Sequence, residues 1–196
     1  MEIEYKWDMP DETAIASLRG EVRGFEPDER SIHMHAAYYD SADGLIARAR
    51  GGLRIRREDG RSVCCLKLSA QSGEGFKARR EYEVEASDIR SGLRTLPAVG
   101  APEDICRNLL ESDIAVECET EFDRSAFAFL ANGFSAELAI DRGAMRRAGK
   151  EGPIHEVELE FKGGSLEAFH AFARKIEREH GLERQPLSKL ARALAL

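Results

Sequence analysis

A chain of 196 residues, 42% hydrophobic and 33% charged, has room for one domain with a real core. Its formal net charge of -7 argues against a general nucleic-acid binder, which carries a basic excess, but allows a local polyanion site built from segregated cations or bound metal ions. No apolar run approaches the roughly 20 residues of a membrane span, and Glu2 and Glu4 are foreign to a secretory signal. Cys64, Cys65, Cys106 and Cys118 lack CxxC spacing, so reduced thiols in a cytoplasmic protein are expected rather than a zinc site.

In chain order, Glu2-Ile3-Glu4-Tyr5-Lys6-Trp7 alternates charged and apolar residues at the period of a strand. Pro10 and Asp11 open a short helix over 11–18. Residues 33–40 read as a strand, 41–44 as a turn and 45–50 as a short helical or irregular link. A strand over 52–58, an Asp59-Gly60 turn and a returning strand over 62–69 form a hairpin, followed by a loop over 70–75 and a strand over 76–85. Ser87 is expected to cap a helix running to about Leu96, with a break over 97–102 and a helix over 103–110. Residues 115–129 make one long or two broken strands. After a turn at Asn132-Gly133, strands follow over 134–141 and 155–162, with a turn region over 149–152. The helix over 165–180 places Leu166, Phe169, Phe172, Ala173 and Ile176 on one stripe, Gly181 ends it, and 186–194 makes a last helix. No fixed-period repeat or low-complexity linker divides residues 1–196, so one domain is expected.

The polar strand faces collect Glu2, Glu4 and Lys6; Arg54 and Arg56; Lys67; Arg79, Glu81, Glu83 and Glu85; Arg124; Glu137 and Asp141; and Glu156, Glu158 and Glu160. A sandwich with its polar faces in water would explain each strand alone. The set fits it poorly, because three glutamates in a row repel one another unless cations stand among them, and amphipathic helices need the apolar side of the sheet. An α+β fold is therefore expected: a closed, eight-stranded antiparallel β-barrel with a charged interior and helices packed outside. Carboxylates in such an interior suit hard metal ions, and Arg and Lys suit phosphate oxygens. No P-loop motif and no Ser/His/Asp or Cys/His nucleophile is evident. His33-x-His35 reads as a polar strand face, His155 as structural, Trp7 as core, and Arg146, Arg147 and Lys150 as a solvated basic loop.

Nine pieces, in order, carry a resemblance: E-I-E-Y-K (2–6), Y-Y-D (38–40), L-R-I-R (53–56), L-K-L (66–68), R-R-E-Y-E (79–83), F-D-R (122–124), E-L-A-I-D (137–141), E-V-E-L-E (156–160) and S-K-L-A-R (188–192). Together they resemble the CYTH family, the triphosphate tunnel metalloenzymes, and are most similar to its bacterial inorganic triphosphatase type. The resemblance implies a metal-dependent triphosphatase that releases the terminal phosphate of a linear triphosphate with Mg²⁺ or Mn²⁺. Inorganic triphosphate leads, with thiamine triphosphate and nucleoside triphosphates behind it. By motif match, Glu2, Glu4, Asp141, Glu156 and Glu158 would hold metal. Lys6, Arg54, Arg56, Lys67, Arg79, Arg124 and Lys189 would contact the anion, with Arg80 the alternative to Arg79, and Arg192 would either contact the anion or brace a C-terminal helix that plugs the tunnel. Glu81 and Glu83 would orient water or hold a second metal, and Lys6 would also serve the reaction. The expected partner is a small-molecule triphosphate, not nucleic acid or membrane. The competing readings are a cyclase making cyclic AMP from ATP and a non-catalytic polyphosphate- or nucleotide-binding module.

Overall fold

The computed structural model describes residues 2–73, 76–131 and 133–196, excluding the side chains of residues 2, 69–73 and 76–79. The side chains of Glu2 and Arg79, and Asn132 of the expected turn, therefore lie outside the described residues.

Eight strands and six α-helices follow in the order β1 (Glu2–Asp8), α1 (Glu12–Arg23), β2 (Asp28–Ser41), α2 (Leu45–Arg48), β3 (Gly52–Glu58), β4 (Arg61–Gly73), β5 (Phe76–Glu85), α3 (Ile89–Thr95), a 3₁₀ turn (Leu96–Val99), α4 (Glu103–Glu111), β6 (Ile114–Ala131), β7 (Phe134–Arg147), β8 (Lys150–Gly164), α5 (Leu166–Glu179) and α6 (Lys189–Leu194). No helix among the described residues is long and apolar enough to cross a membrane.

Several strands outrun their sequence signal. β2 begins at Asp28, β4 continues to Gly73 through the expected loop, and β6 is one unbroken strand. The turn region at 149–152 shrinks to Ala148-Gly149, both at positive φ (48° and 79°), with Arg147 paired to Lys150 across it. Two successive left-handed residues make the primed turn whose twist suits a two-residue hairpin. The cap of α3 is Asp88 rather than Ser87. Asp88 Oδ1 accepts from the Ser91 amide at 2.9 Å, and Ser91 Oγ faces the Asp88 amide at 3.3 Å, a reciprocal box that Ser87 is one residue too early to make.

All pairings are antiparallel, in the order β1-β5-β4-β3-β2-β6-β7-β8, with β8 also bonded to β1. The sheet is thus curled on itself; among the described residues the β1–β5 seam spans three register pairs, Glu2 to Glu4, where β2–β6 spans fourteen. Beyond Glu4 the segment 183–185 takes the edge of β1. The Asp8 amide donates to the Glu183 carbonyl, and the Gln185 amide to the Lys6 carbonyl.

Two cores sit outside the curl. Helices α1 and α5 cover Tyr5, Trp7, Phe127, Phe129 and Phe134 with Leu18, Phe169 and Phe172, while α3 and α4 cover Leu53 and Leu66 with Leu93 and Leu109. Each such buried side chain contributes roughly 1.5–3 kcal/mol of transfer free energy. Leu166, the first residue of α5, departs from its stripe and is 37% exposed.

A third core corrects the expected barrel in two respects. Helix α6 does not pack outside; Ala193, Leu190 and Leu194 pack against Met34, Tyr38, Cys118, Phe122, Met145 and Ile154. Met34, Ala36, Tyr38 and Phe122 share the inner wall with the charged residues, so the interior is apolar over the second half of β2 and at Phe122 of β6. On β2 the polar His33 and His35 instead face outward, against Asp123 (2.8 Å) and Glu119 (3.3 Å). An amphipathic helix inside the curl needs an apolar patch there, and these strands supply it.

Candidate active site

The inner wall encloses a cavity of about 460 Å³. Ten of the residues singled out by sequence line it: Glu4, Lys6, Arg54, Arg56, Lys67, Glu81, Glu83, Arg124, Glu158 and Lys189. They converge because side chains two apart on a strand share a face, and the curl turns one face of every strand inward. Asp141 and Glu156 lie behind the cavity wall, fully buried, and Arg192 stands behind Glu156. Arg80 is exposed.

On the β7–β8 side the acids and bases interlock. Lys189 Nζ lies 2.8 Å from Asp141 Oδ2 and 3.0 Å from Glu158 Oε1, and also bonds Glu156. Arg124 grips Asp141 with two bonds (2.8 and 2.7 Å) and reaches Glu158 at 2.5 Å. The Phe122 ring lies 4.9 Å from Lys189 Nζ and 5.8 Å from Arg124 Cζ, a π-face under two cations. Burial pushes Glu156 up to about 7, reinforced by the charge of Glu158. Burial also acts to raise Glu158, but Lys189, Arg124 and Lys6 outweigh it and hold that carboxyl well below the usual range. For Lys189, burial opposes the charge, yet Asp141, Glu158 and Glu156 raise its pKa above the ordinary value. Lys6 has the reverse balance: burial lowers its pKa despite Glu156 and Glu158.

Across the cavity, Lys67 pairs with Glu81 at 2.9 Å, Arg54 approaches Glu81 at 3.9 Å, and Arg56 pairs with Glu58 (2.9 Å) and Glu83 (3.4 Å). Burial would raise Glu81, but Lys67 and Arg54 hold it down to about 2. Arg54 Nε is buried and no described group accepts from it. Such an uncompensated donor is costly unless an anion completes it.

Sequence reasoning left several wall residues out of the site. The register sets Glu4 beside Glu160 and Glu160 beside Glu137, three carboxylates in one row across β1, β8 and β7. Glu137 and Glu160 were visible on the polar faces. Arg30, which donates to Glu137 at 2.9 Å, was hidden because the strand signal of β2 began three residues later.

Oxygen donors for a hard cation are at hand. The oxygens of Asp141, Glu156 and Glu158 lie within 4.8 Å of one another, as do donor atoms of Cys65, Glu81 and Glu83. In the first group the Lys189 ammonium already stands among the oxygens. In the second, burial keeps the Cys65 thiol protonated, and it donates to Glu81 at 3.2 Å. On the cavity wall itself, Glu4, Glu137, Glu158 and Glu160 add further carboxylates, with Glu137 paired to Arg30, Glu158 to Lys189 and Arg124, and Glu160 to Lys162.

Comparisons with known proteins agree with this geometry. The chain is 25% identical over 173 residues to an inorganic triphosphatase of Haemophilus influenzae, covering 86% of this chain and 47% of the relative. It thus spans about half the length of that curated relative. Among solved structures it superposes on a protein from Hippeastrum, described as a putative adenylyl cyclase with a dominant triphosphatase activity. The TM-score is 0.65 at 21% identity, covering 100% of this chain and 96% of that one. PH1819 from Pyrococcus horikoshii gives 0.64 at 19%, covering 100% and 99%. At these identities the structures share the fold. The CYTH domain pattern matches residues 1–194, nearly the whole chain, and the protein belongs to the CYTH family.

Proposed function

We propose that this chain is a divalent-metal-dependent hydrolase of linear triphosphates, with inorganic triphosphate foremost. The observation that carries it is a wall of Lys and Arg facing a row of carboxylates across one cavity. The description of the Haemophilus relative as an inorganic triphosphatase supports the same reading. The curl of the sheet, whose bonded order returns to β1, would enclose the anion as a tunnel wall.

Glu4 and Glu158, with Glu137 and Glu160 beside them, would hold Mg²⁺ or Mn²⁺, and Glu2 completes the alternation on β1. The ion supplies charge neutralisation and Lewis acidity at the phosphate oxygens. Lys6, Arg54, Arg56, Lys67, Arg124 and Lys189 grip those oxygens, and Arg79 extends the set. Asp141, Glu156 and Arg192 lie one layer back and fix Lys189 and Arg124. Glu81, ionised down to about pH 2, and Glu83 accept hydrogen bonds from the attacking water. The water oxygen adds to the terminal phosphorus, the bridging P–O bond breaks toward the departing pyrophosphate, and the water's proton passes to solvent. Positioning and cationic charge do most of the work in such a transfer.

A product assay with inorganic triphosphate, thiamine triphosphate and ATP, under Mg²⁺ and under Mn²⁺, tests this. Orthophosphate and pyrophosphate in equal amounts are expected from inorganic triphosphate. Cyclic AMP and pyrophosphate from ATP, without orthophosphate, would instead identify a cyclase, and tight binding without turnover a binding module. Glu4→Gln should lower kcat by about 100-fold or more. Arg56→Ala should chiefly raise KM, by about 10- to 100-fold, the worth of one charged hydrogen bond. Wild-type turnover in Glu4→Gln removes the metal assignment.

A further inference from the structure

The register sets Cys65 of β4 between Arg54 of β3 and Glu83 of β5. Both of these line the cavity, and residues directly opposite in a sheet share a face, so the Cys65 side chain points inward as well. It is nevertheless fully buried, with Arg54, Lys67, Glu81 and Glu83 around it. A neutral thiol thus stands behind the most charged part of the wall.

That thiol makes one specific contact. Its Sγ lies 3.2 Å from Oε1 of Glu81. Lys67 Nζ holds the same oxygen at 2.9 Å, and Arg54 Nη2 approaches it at 3.9 Å. The three contacts converge on Oε1 and leave the other oxygen of the carboxylate aside. Glu83, the register neighbour of Cys65, turns to Arg56 at 3.4 Å instead. Cations alone do not fix the plane of a carboxylate. The last torsion of a glutamate is broad, and a lysine is a point charge on a flexible stem. A buried donor carried on a single side-chain torsion from a paired strand is a far more rigid reference. Because burial keeps its proton in place, the thiol donates to Glu81 and does not repel it.

We propose that Cys65 is a positioning residue: it pins Oε1 of Glu81 against Lys67 and Arg54, so that Oε2 is presented to the attacking water. This rests on the hydrolase reading above. Cys65 touches neither substrate nor water; it acts through Glu81.

Three variants separate donation from packing. Cys65→Ser keeps a donor, Cys65→Val fills the space without one, and Cys65→Ala does neither. With inorganic triphosphate at saturating metal, kcat should fall about 10-fold or more in Cys65→Ala and Cys65→Val, the scale of a small misplacement of a reacting group. KM should stay near wild type in both, as for a contact that matters only in the transition state. Cys65→Ser should keep kcat within about threefold, since a hydroxyl restores the hydrogen bond. Wild-type kcat in Cys65→Val, or a loss in Cys65→Ser equal to that in Cys65→Ala, shows that packing decides and overturns the proposal. A second measurement needs no turnover. The infrared S–H stretch of Cys65, identified by its loss in Cys65→Ala, should lie at the lowered frequency of a hydrogen-bonded thiol and move up in Glu81→Ala. A free-thiol frequency in wild type overturns the positioning role while leaving the hydrolase reading standing. A wild type that turns over none of inorganic triphosphate, thiamine triphosphate and ATP overturns both.

Discussion

Lys189 shows how a single residue decides the state of its neighbours. Asp141, Glu156 and Glu158 would repel one another in the dark side of the wall, and the ammonium placed among them, with Arg124 and Arg192, makes their burial tolerable. Lys189→Met should therefore destabilise the fold by about 3–5 kcal/mol in urea unfolding, the usual cost of removing one partner from a buried ion pair. A loss under about 1 kcal/mol would mean that Arg124 and Arg192 neutralise the acids unaided. Glu81 gives a pH signature. Its folded pKa, near 2, is depressed below the ordinary 4.5, so its ion pairs stabilise the fold fully above pH 4.5 and lose that contribution as pH falls toward 2. Between pH 4.5 and 2 the urea midpoint of wild type should fall more steeply than that of Glu81→Gln. Parallel profiles would show that Lys67 and Arg54 do not hold Glu81 in the folded state.

At the scale of elements, the strands depend on their partners and the helices on their caps and close contacts. α3 is seated on β4 so tightly that a Cβ on Gly92 would stand 2.3 Å from Cys64 Cβ and 2.4 Å from its sulfur. Gly92 also occupies the interior of a helix, where glycine is otherwise a liability, so its place is steric. Gly92→Ala should cost about 1–3 kcal/mol through overpacking, read as a lowered denaturation midpoint. An unchanged midpoint would mean that α3 can lift from the sheet without loss. The C-terminal segment is held at two places: residues 183–185 on the edge of β1, and Arg147 and Lys150 bonded to the carbonyls of Leu194 and Leu196. The expected solvated basic loop thus ties down the end of α6 with two of its three cations, while Arg146 pairs with Glu121 and Glu151.

The whole molecule carries a net charge of -7, yet its cavity wall holds more bases than acids. An anionic substrate is repelled by the body and drawn by the bore, a focusing that salt weakens at the mouth more than among buried pairs. The KM for inorganic triphosphate should rise several-fold between about 0.05 and 0.5 M ionic strength, with kcat nearly constant. A salt-insensitive KM would show that the cavity cations are neutralised by their own carboxylates before substrate arrives. Among the described residues, fourteen register pairs hold β2 to β6, and three hold β1 to β5.

The alternation of charge and oil along β1, β3, β5, β7 and β8 by itself determined the fold class, the inward-facing set and most of the cavity wall, because strand period and side-chain polarity are local properties. The same rule failed on β2, where His33 and His35 face water and Met34 and Tyr38 face inward. Only the tertiary structure decided which strands α6 packs on, because the partner of a helical stripe is a non-local matter that no spacing records. It likewise decided how deep each acid lies. Glu156 and Glu158 stand two residues apart on one face and are equivalent in sequence. Depth and the reach of Lys189 and Arg192 bury the first and leave the second facing the cavity.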